Sequence, residues 1–201
     1  MNNCLGKDTS FFLVRATFEQ SNPRPTQLDV RKPGQAKLVI YEHTIDLTYI
    51  LTEKGFVYLA LVTDLYSRRI MGYDLSLSLS VEGAARAVQM AITQAGHPWD
   101  GLIHHSDHGV QYTSEPYRAL LGRHHIRSSM GEVGNCYDNA VAERVNGILK
   151  LEYGLAETFV DLAQAQRAVE QAVWLYNHER PHLALNYQKP YQVYVNYFAN
   201  N

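Results

Sequence analysis

VIYEHTIDLTYILTEKGFVYLALV, residues 39–62, decides the fold. Val39, Tyr41, Ile45, Leu47 and Tyr49 fall on one side of an extended chain, with Glu42, Thr44, Asp46 and Thr48 on the other. That is the period-two alternation of a strand, and it projects Asp46 from a polar strand face. Beyond a turn at Glu53-Lys54-Gly55, Phe56–Val62 is almost continuously apolar and reads as a buried strand. A turn at Asp64–Arg68 then leads into a third strand, Arg69–Leu75. Three strands joined by short turns predict an antiparallel meander.

Downstream the period lengthens. Ser80 can cap a helix running to about Ala95, with Ala84, Ala85, Val88 and Ile92 as its apolar stripe and Gly96 and Pro98 as its stop. Gly101–His105 reads as a short strand with Asp107 just past it. Ser114 and Pro116 open a second helix ended by Gly122, and Ile126 marks a fifth strand. Met130–Gly134 is a glycine-bearing loop. A helix is predicted from about Cys136 to Tyr153 on the stripe Val141, Val145, Ile148 and Leu149. The last helix starts at Asp161, with Gln164 at capping-box spacing, and runs to about Asn177. The order βββαβαβαα predicts an α/β layer fold around a mixed sheet. Upstream, the breaker clusters Pro23-Arg24-Pro25 and Lys32-Pro33-Gly34 mark residues 1–37 as a basic, weakly packed arm, leaving 38–201 as the folded core.

The chain has 201 residues, 46% hydrophobic and 19% charged, an ordinary globular composition with no repeat or low-complexity tract. No apolar run approaches the ~18 residues that span a bilayer, so no membrane partner is expected. The residues after Met1 lack the cationic start and apolar stretch of a secretory signal. Cys4 and Cys136 are too few for a disulfide framework, and the compartment reads as cytosolic. A net charge of −2 argues against a generic polyanion binder. The average hides an asymmetry: residues 1–37 carry six basic against three acidic side chains, which leaves the rest at −5. A case for nucleic acid must therefore rest on a site.

Three acids supply one. Asp46 lies on the first strand, Asp107 follows the fourth, and Glu143 lies in the helix after Asp138-Asn139-Ala140. At about 100° per residue, Lys150 returns to within about 20° of Glu143, with Gly147 between them on the same face. If the first and fourth strands are neighbours, the three carboxylates can meet at one end of the sheet. Such a cluster raises its own pKa values unless cations neutralise it, and hard divalent ions with oxygen ligands do so. Two Mg²⁺ ions about 4 Å apart would suit phosphoryl transfer, and their charge would draw a phosphodiester to an acidic domain.

Thirty-five residues separate Asp107 from Glu143, and with Asp46 the set resembles the DDE triad of retroviral integrases. The neighbouring words are more similar still to the OrfB transposases of bacterial insertion sequences. They are Asp46-Leu47-Thr48-Tyr49-Ile50, Asp64-Leu65-Tyr66-Ser67-Arg68-Arg69, His105-Ser106-Asp107-His108-Gly109-Val110-Gln111-Tyr112, Asn135-Cys136-Tyr137-Asp138-Asn139-Ala140, and Tyr176-Asn177 with Arg180-Pro181-His182. The resemblance covers about Tyr41–Tyr194. It implies an RNase H-like fold with a mixed five-stranded sheet, and metal-dependent cutting and joining of DNA in the bacterial cytoplasm. It also implies that Asp46, Asp107 and Glu143 hold two Mg²⁺ ions, replaceable by Mn²⁺, while Lys150 contacts phosphate. The implied partners are element ends, target DNA and at least a second copy of the chain. Family members usually carry a helix-turn-helix that reads the element ends. Residues 1–37 are too short and proline-broken for one, which leaves a separate chain, a further portion of the gene product, or no reader at all as the alternatives. Two other readings stay open: an idle remnant that regulates a partner transposase, and a stand-alone RNase H-like nuclease.

Other residues compete for roles. Asp64 sits where a strand meets a turn and reads as turn chemistry. His104, His105 and His108 invite zinc, yet the first two point oppositely on a strand with no cysteine near. His108 can reach the site rim and touch DNA. Arg180 is a candidate for DNA contact and equally for capping the last long helix. Tyr187, Tyr191, Tyr194 and Tyr197 read as packing of the C-terminal tail.

Overall fold

A computed structural model describes residues 42–96, 99, 101–130 and 140–199. The expected arm and the lead-in 131–139 to the Glu143 helix lie outside the described residues. The meander is present as β1 (Glu42–Thr52), β2 (Gly55–Asp64) and β3 (Ile70–Ser76). β1 and β2 pair antiparallel without interruption from His43↔Asp64 to Thr52↔Gly55, and Gly55 turns the corner at φ 113°. Helix α1 (Val81–Ala95) follows and ends on Gly96 in the left-handed region. β4 (Ile103–Ser106), α2 (Val110–Thr113), α3 (Glu115–Arg123), β5 (Arg127–Met130) and α4 (Ala140–Glu152) come next. The chain then runs through β6 (Thr158–Phe159), α5 (Leu162–His178), a 3-10 turn at Leu183–Leu185, and α6 (Pro190–Ala199). The sheet order is β3-β2-β1-β4-β5. β4 pairs in parallel with β1 and with β5, so the expected mixed five-stranded sheet is present. The two-residue β6 adds to it on β1. Neither β6 nor the four-residue α2 is long enough to show a period in the sequence, and the tyrosines of α6 read there only as a packed tail.

β1 is central, and helices cover both faces of the sheet. On one face Ile45, Ala60, Val62 and Met71 pack against Ala84, Ala87, Val88 and Ala91 of α1 and against Tyr112, Tyr117 and Leu121. On the other, Ile50, Leu59 and Leu61 pack against Val145, Ile148 and Leu149 of α4 and Val169, Ala172 and Tyr176 of α5. The face of β1 expected to be polar is therefore not a solvent face. Thr44 is buried, and Ile50 on the same side is core. A central strand covered twice leaves its polar residues to find partners inside.

The closing motif has such a job. Asn177, buried on α5, accepts from the Ile70 backbone N–H through Oδ1 and donates from Nδ2 to the Ile70 carbonyl, both at 2.9 Å. The amide thus stands in for a neighbouring strand at the start of β3 and ties α5 to the sheet. His182 packs edge-on against Tyr176 at 4.9 Å between ring centres. Asp64 is structural, as expected: it accepts from the Ser67 backbone N–H at 2.7 Å and from the Ser67 hydroxyl, closing the turn before β3. Burial pushes its carboxyl pKa upward against those hydrogen bonds. Tyr194 and Tyr197 are buried, whereas Tyr187 and Tyr191 remain exposed. Replacing Asn177 by Leu keeps the volume but strands two backbone groups, and it should lower unfolding free energy by about 2–4 kcal/mol in urea titrations.

Candidate active site

The parallel register of β1 and β4 places two of the three acids. Glu42 faces Ile103, His43 faces His104 and Thr44 faces His105. Continued two residues, the same register sets Asp107 level with Asp46. β4 ends at Ser106, so Asp107 stands where the two strands part. There it opens the next turn, with its Oδ1 accepting from the Gly109 backbone N–H at 2.8 Å. Crevices at the carboxyl ends of parallel strands are where α/β sheets bind ligands.

Asp46 is half-buried, and both its oxygens are engaged. Oδ1 accepts from the Leu47 N–H at 2.9 Å, and Oδ2 accepts from Asn146 Nδ2 at 2.8 Å. Asn146 belongs to α4, three residues after Glu143, and is itself buried at 7% exposure. Its own Oδ1 is buried without a hydrogen-bond partner among the described residues. One helix face therefore carries Glu143, Asn146, Gly147 and Lys150 across the strand that carries Asp46. The sequence reading found the two ends of that face and passed over Asn146, the residue that meets the sheet. Asking what a half-buried Asp46 could bond would have found it, since an amide three residues from Glu143 lies on the same helix face.

Lys150, in the last turn of α4, is half-buried, and its Nζ lies 4.2 Å from the centre of the Tyr49 ring. Burial pulls its pKa below the usual lysine value while the Asp46 charge pulls it back up. Tyr112, on α2, is buried at 1%. Burial first, and then the charges of Asp46 and Asp107, push its phenol well above the usual tyrosine range. Both carboxylates thus act on one phenol, as their shared position at the strand ends requires.

Asp46, Asp107 and Glu143 offer only hard carboxylate oxygens, the donor chemistry Mg²⁺ takes. Asp107 is exposed, and this fits a cation at the end of β4. Glu143 is exposed in the first turn of α4 and is not drawn onto the other two. Among the described residues, no three His, Cys, Asp or Glu side chains are gathered closely enough to hold one ion.

His108 is exposed directly beside Asp107. Arg180 is held elsewhere: its guanidinium forks onto Glu152, with Nε and Nη2 donating at 2.7 and 2.8 Å. Glu152 lies nine residues beyond Glu143, half a turn round the helix, so this ion pair sits on the opposite side of α4 from the acids. His104 and His105 do point oppositely. His104 Nε2 is 2.7 Å from the Tyr117 hydroxyl, and His105 Nε2 is 3.8 Å from Glu42 Oε2.

An RNase H-like sheet with paired acids at its carboxyl edge defines the class of the domain, and comparison with known proteins supplies the family. Two sequence profiles described as integrase core domain match residues 41–136 and 124–190, and the chain belongs to that family. It is 42% identical over 115 residues to transposase InsF for insertion sequence IS3fB of Escherichia coli, covering 57% of this chain and 40% of the relative. It is 33% identical over 159 residues to a protein assigned as transposase for insertion sequence element IS986/IS6110 of Mycobacterium tuberculosis, covering 77% of this chain and 57% of the relative. The chain thus spans less than two thirds of these curated relatives. Among solved structures, the HTLV-2 integrase catalytic core domain in complex with magnesium superposes with a TM-score of 0.61 at 19% identity, covering 77% of this chain and 95% of that one. A chain of the simian T-cell lymphotropic virus intasome superposes at 0.66, also at 19% identity, covering 85% of this chain and 60% of that one.

His104 gives the fold a pH dependence. Burial, and then the neighbouring charges of His43 and His105, lower its pKa from 6.5 to about 3. The unfolded chain therefore takes up a proton that the folded one refuses. The stability of the neutral ring is complete above pH 6.5 and falls as pH drops toward 3. Between pH 7 and pH 5 the wild type should lose about 2 kcal/mol more unfolding free energy than His104→Gln, measured by urea titration at the two pH values.

Proposed function

We propose that this chain is the catalytic core of an insertion-sequence transposase, cutting DNA and joining its ends. The observation that carries this is the parallel register that sets Asp107 beside Asp46, with α4 bridged to Asp46 through Asn146 in a chain of the integrase core family. Asp46, Asp107 and Glu143 would hold two Mg²⁺ ions, with Mn²⁺ as a substitute. Bound there, the cations polarise the phosphodiester and lower the pKa of the attacking water or hydroxyl.

The chain's own residues do the rest. Asp46, within β1, and Asp107, just past the end of β4, orient the scissile phosphate from two adjacent strands, and Asn146 keeps the Asp46 carboxylate from turning away. Glu143 closes the site from the first turn of α4, and Lys150 on the same face pairs with the neighbouring phosphate. His108 lines the rim, within reach of the same DNA. In the first step water attacks phosphorus and the bond to the 3′ oxygen breaks, freeing a 3′-hydroxyl. In the second that hydroxyl attacks a phosphodiester of the target and displaces its 3′ oxygen. Arg180 forks onto Glu152 and fixes the end of α4, from which it remains a candidate contact to flanking DNA.

Joining two ends calls for at least two copies of the chain, acting on DNA in the bacterial cytoplasm. A helix-turn-helix on a separate chain is a candidate reader of the element ends. Among the described residues no helix is long and apolar enough to cross a membrane.

The test is incubation of supercoiled plasmid and labelled duplex with the chain and Mg²⁺ or Mn²⁺. Wild type should nick and join, and Asp107→Asn should lower both by more than about a hundredfold, since even an outer partner of a metal ligand can be worth that much. Equal activity in Asp107→Asn would defeat the assignment. Cut ends that are never joined would point to a nuclease.

A further inference from the structure

Past the carboxylates, the β1–β2 hairpin turns aromatic side chains outward. Tyr49 is 57% and Phe56 55% exposed, and their rings meet edge to face at 5.2 Å. Tyr49 lies three residues from Asp46, about 10 Å along the same strand and on its opposite face. Its place in β1 falls between the pairing to β4, which ends at Thr44, and the pairing to β6, which starts at Leu51. Lys150 brings its ammonium onto the Tyr49 ring from the helix face shared with Glu143. Phe56 also lines a groove of about 360 Å³, together with Lys54, Asp161, Leu77 and Leu162. An aromatic pair is thus left in water, with a cation seated on one ring and a second cation lining the groove beside the other.

A nucleotide matches both chemistries: a flat π-face for the rings and an anionic phosphate for the lysines. A paired duplex hides its base faces in the stack, so only an unpaired base can use the rings. Through Lys150, whose ammonium sits on the Tyr49 ring and whose helix face also carries Glu143, that base lies near the reacting phosphate. We propose that Tyr49 and Phe56, flanked by Lys150 and Lys54, form a stacking site for an unpaired nucleobase near the cleaved end, so that the domain selects frayed DNA ends over fully paired DNA. The proposal rests on the transposase reading and deepens it.

The test titrates the full chain into two DNA probes. One is a duplex with a three-nucleotide unpaired end carrying 2-aminopurine, and the other is the same duplex closed by a hairpin at each end. Tyr49→Leu with Phe56→Leu keeps apolar bulk while removing the π-faces. It should weaken binding of the unpaired end by about five- to a hundredfold and leave the closed duplex within about twofold. Tyr49→Phe, combined with wild-type Phe56, should bind like wild type and quench 2-aminopurine equally. Equal binding of the unpaired end by wild type and the double Leu variant overturns the proposal, as does equal weakening on both probes. It is also overturned if the variant changes only the sedimentation of the protein, because the rings then cover a second copy of the chain. Any of these alongside metal-dependent nicking by wild type removes the stacking site and keeps the transposase reading. If wild type binds neither probe and does not nick, both fall.

Discussion

One hydrogen bond decides where everything else in the site stands: Asn146 Nδ2 donating to Asp46 Oδ2 at 2.8 Å. A carboxylate on the central strand of a sheet covered on both faces is costly unless its oxygens are paired. Asp46 meets that demand with one backbone N–H and one amide, and the amide comes from α4. The bond therefore fixes which face of α4 looks at the strand. Glu143 and Lys150 take their places because Asn146 lies between them. The apolar stripe Val145, Ile148 and Leu149 presses the helix onto Ile50, Leu59 and Leu61, and the polar bond sets its register there.

The second constraint is the divided edge of β1. β4 covers its first three residues in parallel, and β6 covers its last two. Between them the strand has no ladder partner on that side among the described residues, and the Leu47 N–H turns to the Asp46 side chain instead. β4 stops where it parts from β1, which delivers Asp107 to the gap. An acidic domain thus concentrates negative charge where a sheet naturally opens. The excess of acids beyond residue 37 then becomes a requirement for cations rather than an obstacle to DNA.

The meander and the long helices were legible because their apolar residues repeat cleanly: Phe56–Val62 for β2, and Val145, Ile148 and Leu149 for α4. The Asp161–Gln164 capping pair marked α5, and the Asp161 side chain does accept from the Gln164 N–H at 2.9 Å. Two-residue β6 and four-residue α2 were not legible, since neither is long enough to show a period. How far the polar face of β1 is covered was not legible, for a physical reason. Alternation tells which residues share a face but not whether a helix later covers it. The spacing of Asp46, Asp107 and Glu143 marks three candidates, whereas Asn146 shows itself only when a partner is sought for the Asp46 carboxylate. Arg180 shows the converse, a cation in a suggestive motif whose fork is taken by Glu152.

The most direct measurement of the central claim is anomalous diffraction from crystals of the chain soaked in Mn²⁺. The account predicts manganese at the carboxyl end of β4, with Asp46 and Asp107 oxygens at about 2–2.3 Å and the Glu143 carboxylate drawn in from the first turn of α4. Manganese bound only away from Asp46 and Asp107, or none at millimolar concentration, would contradict it.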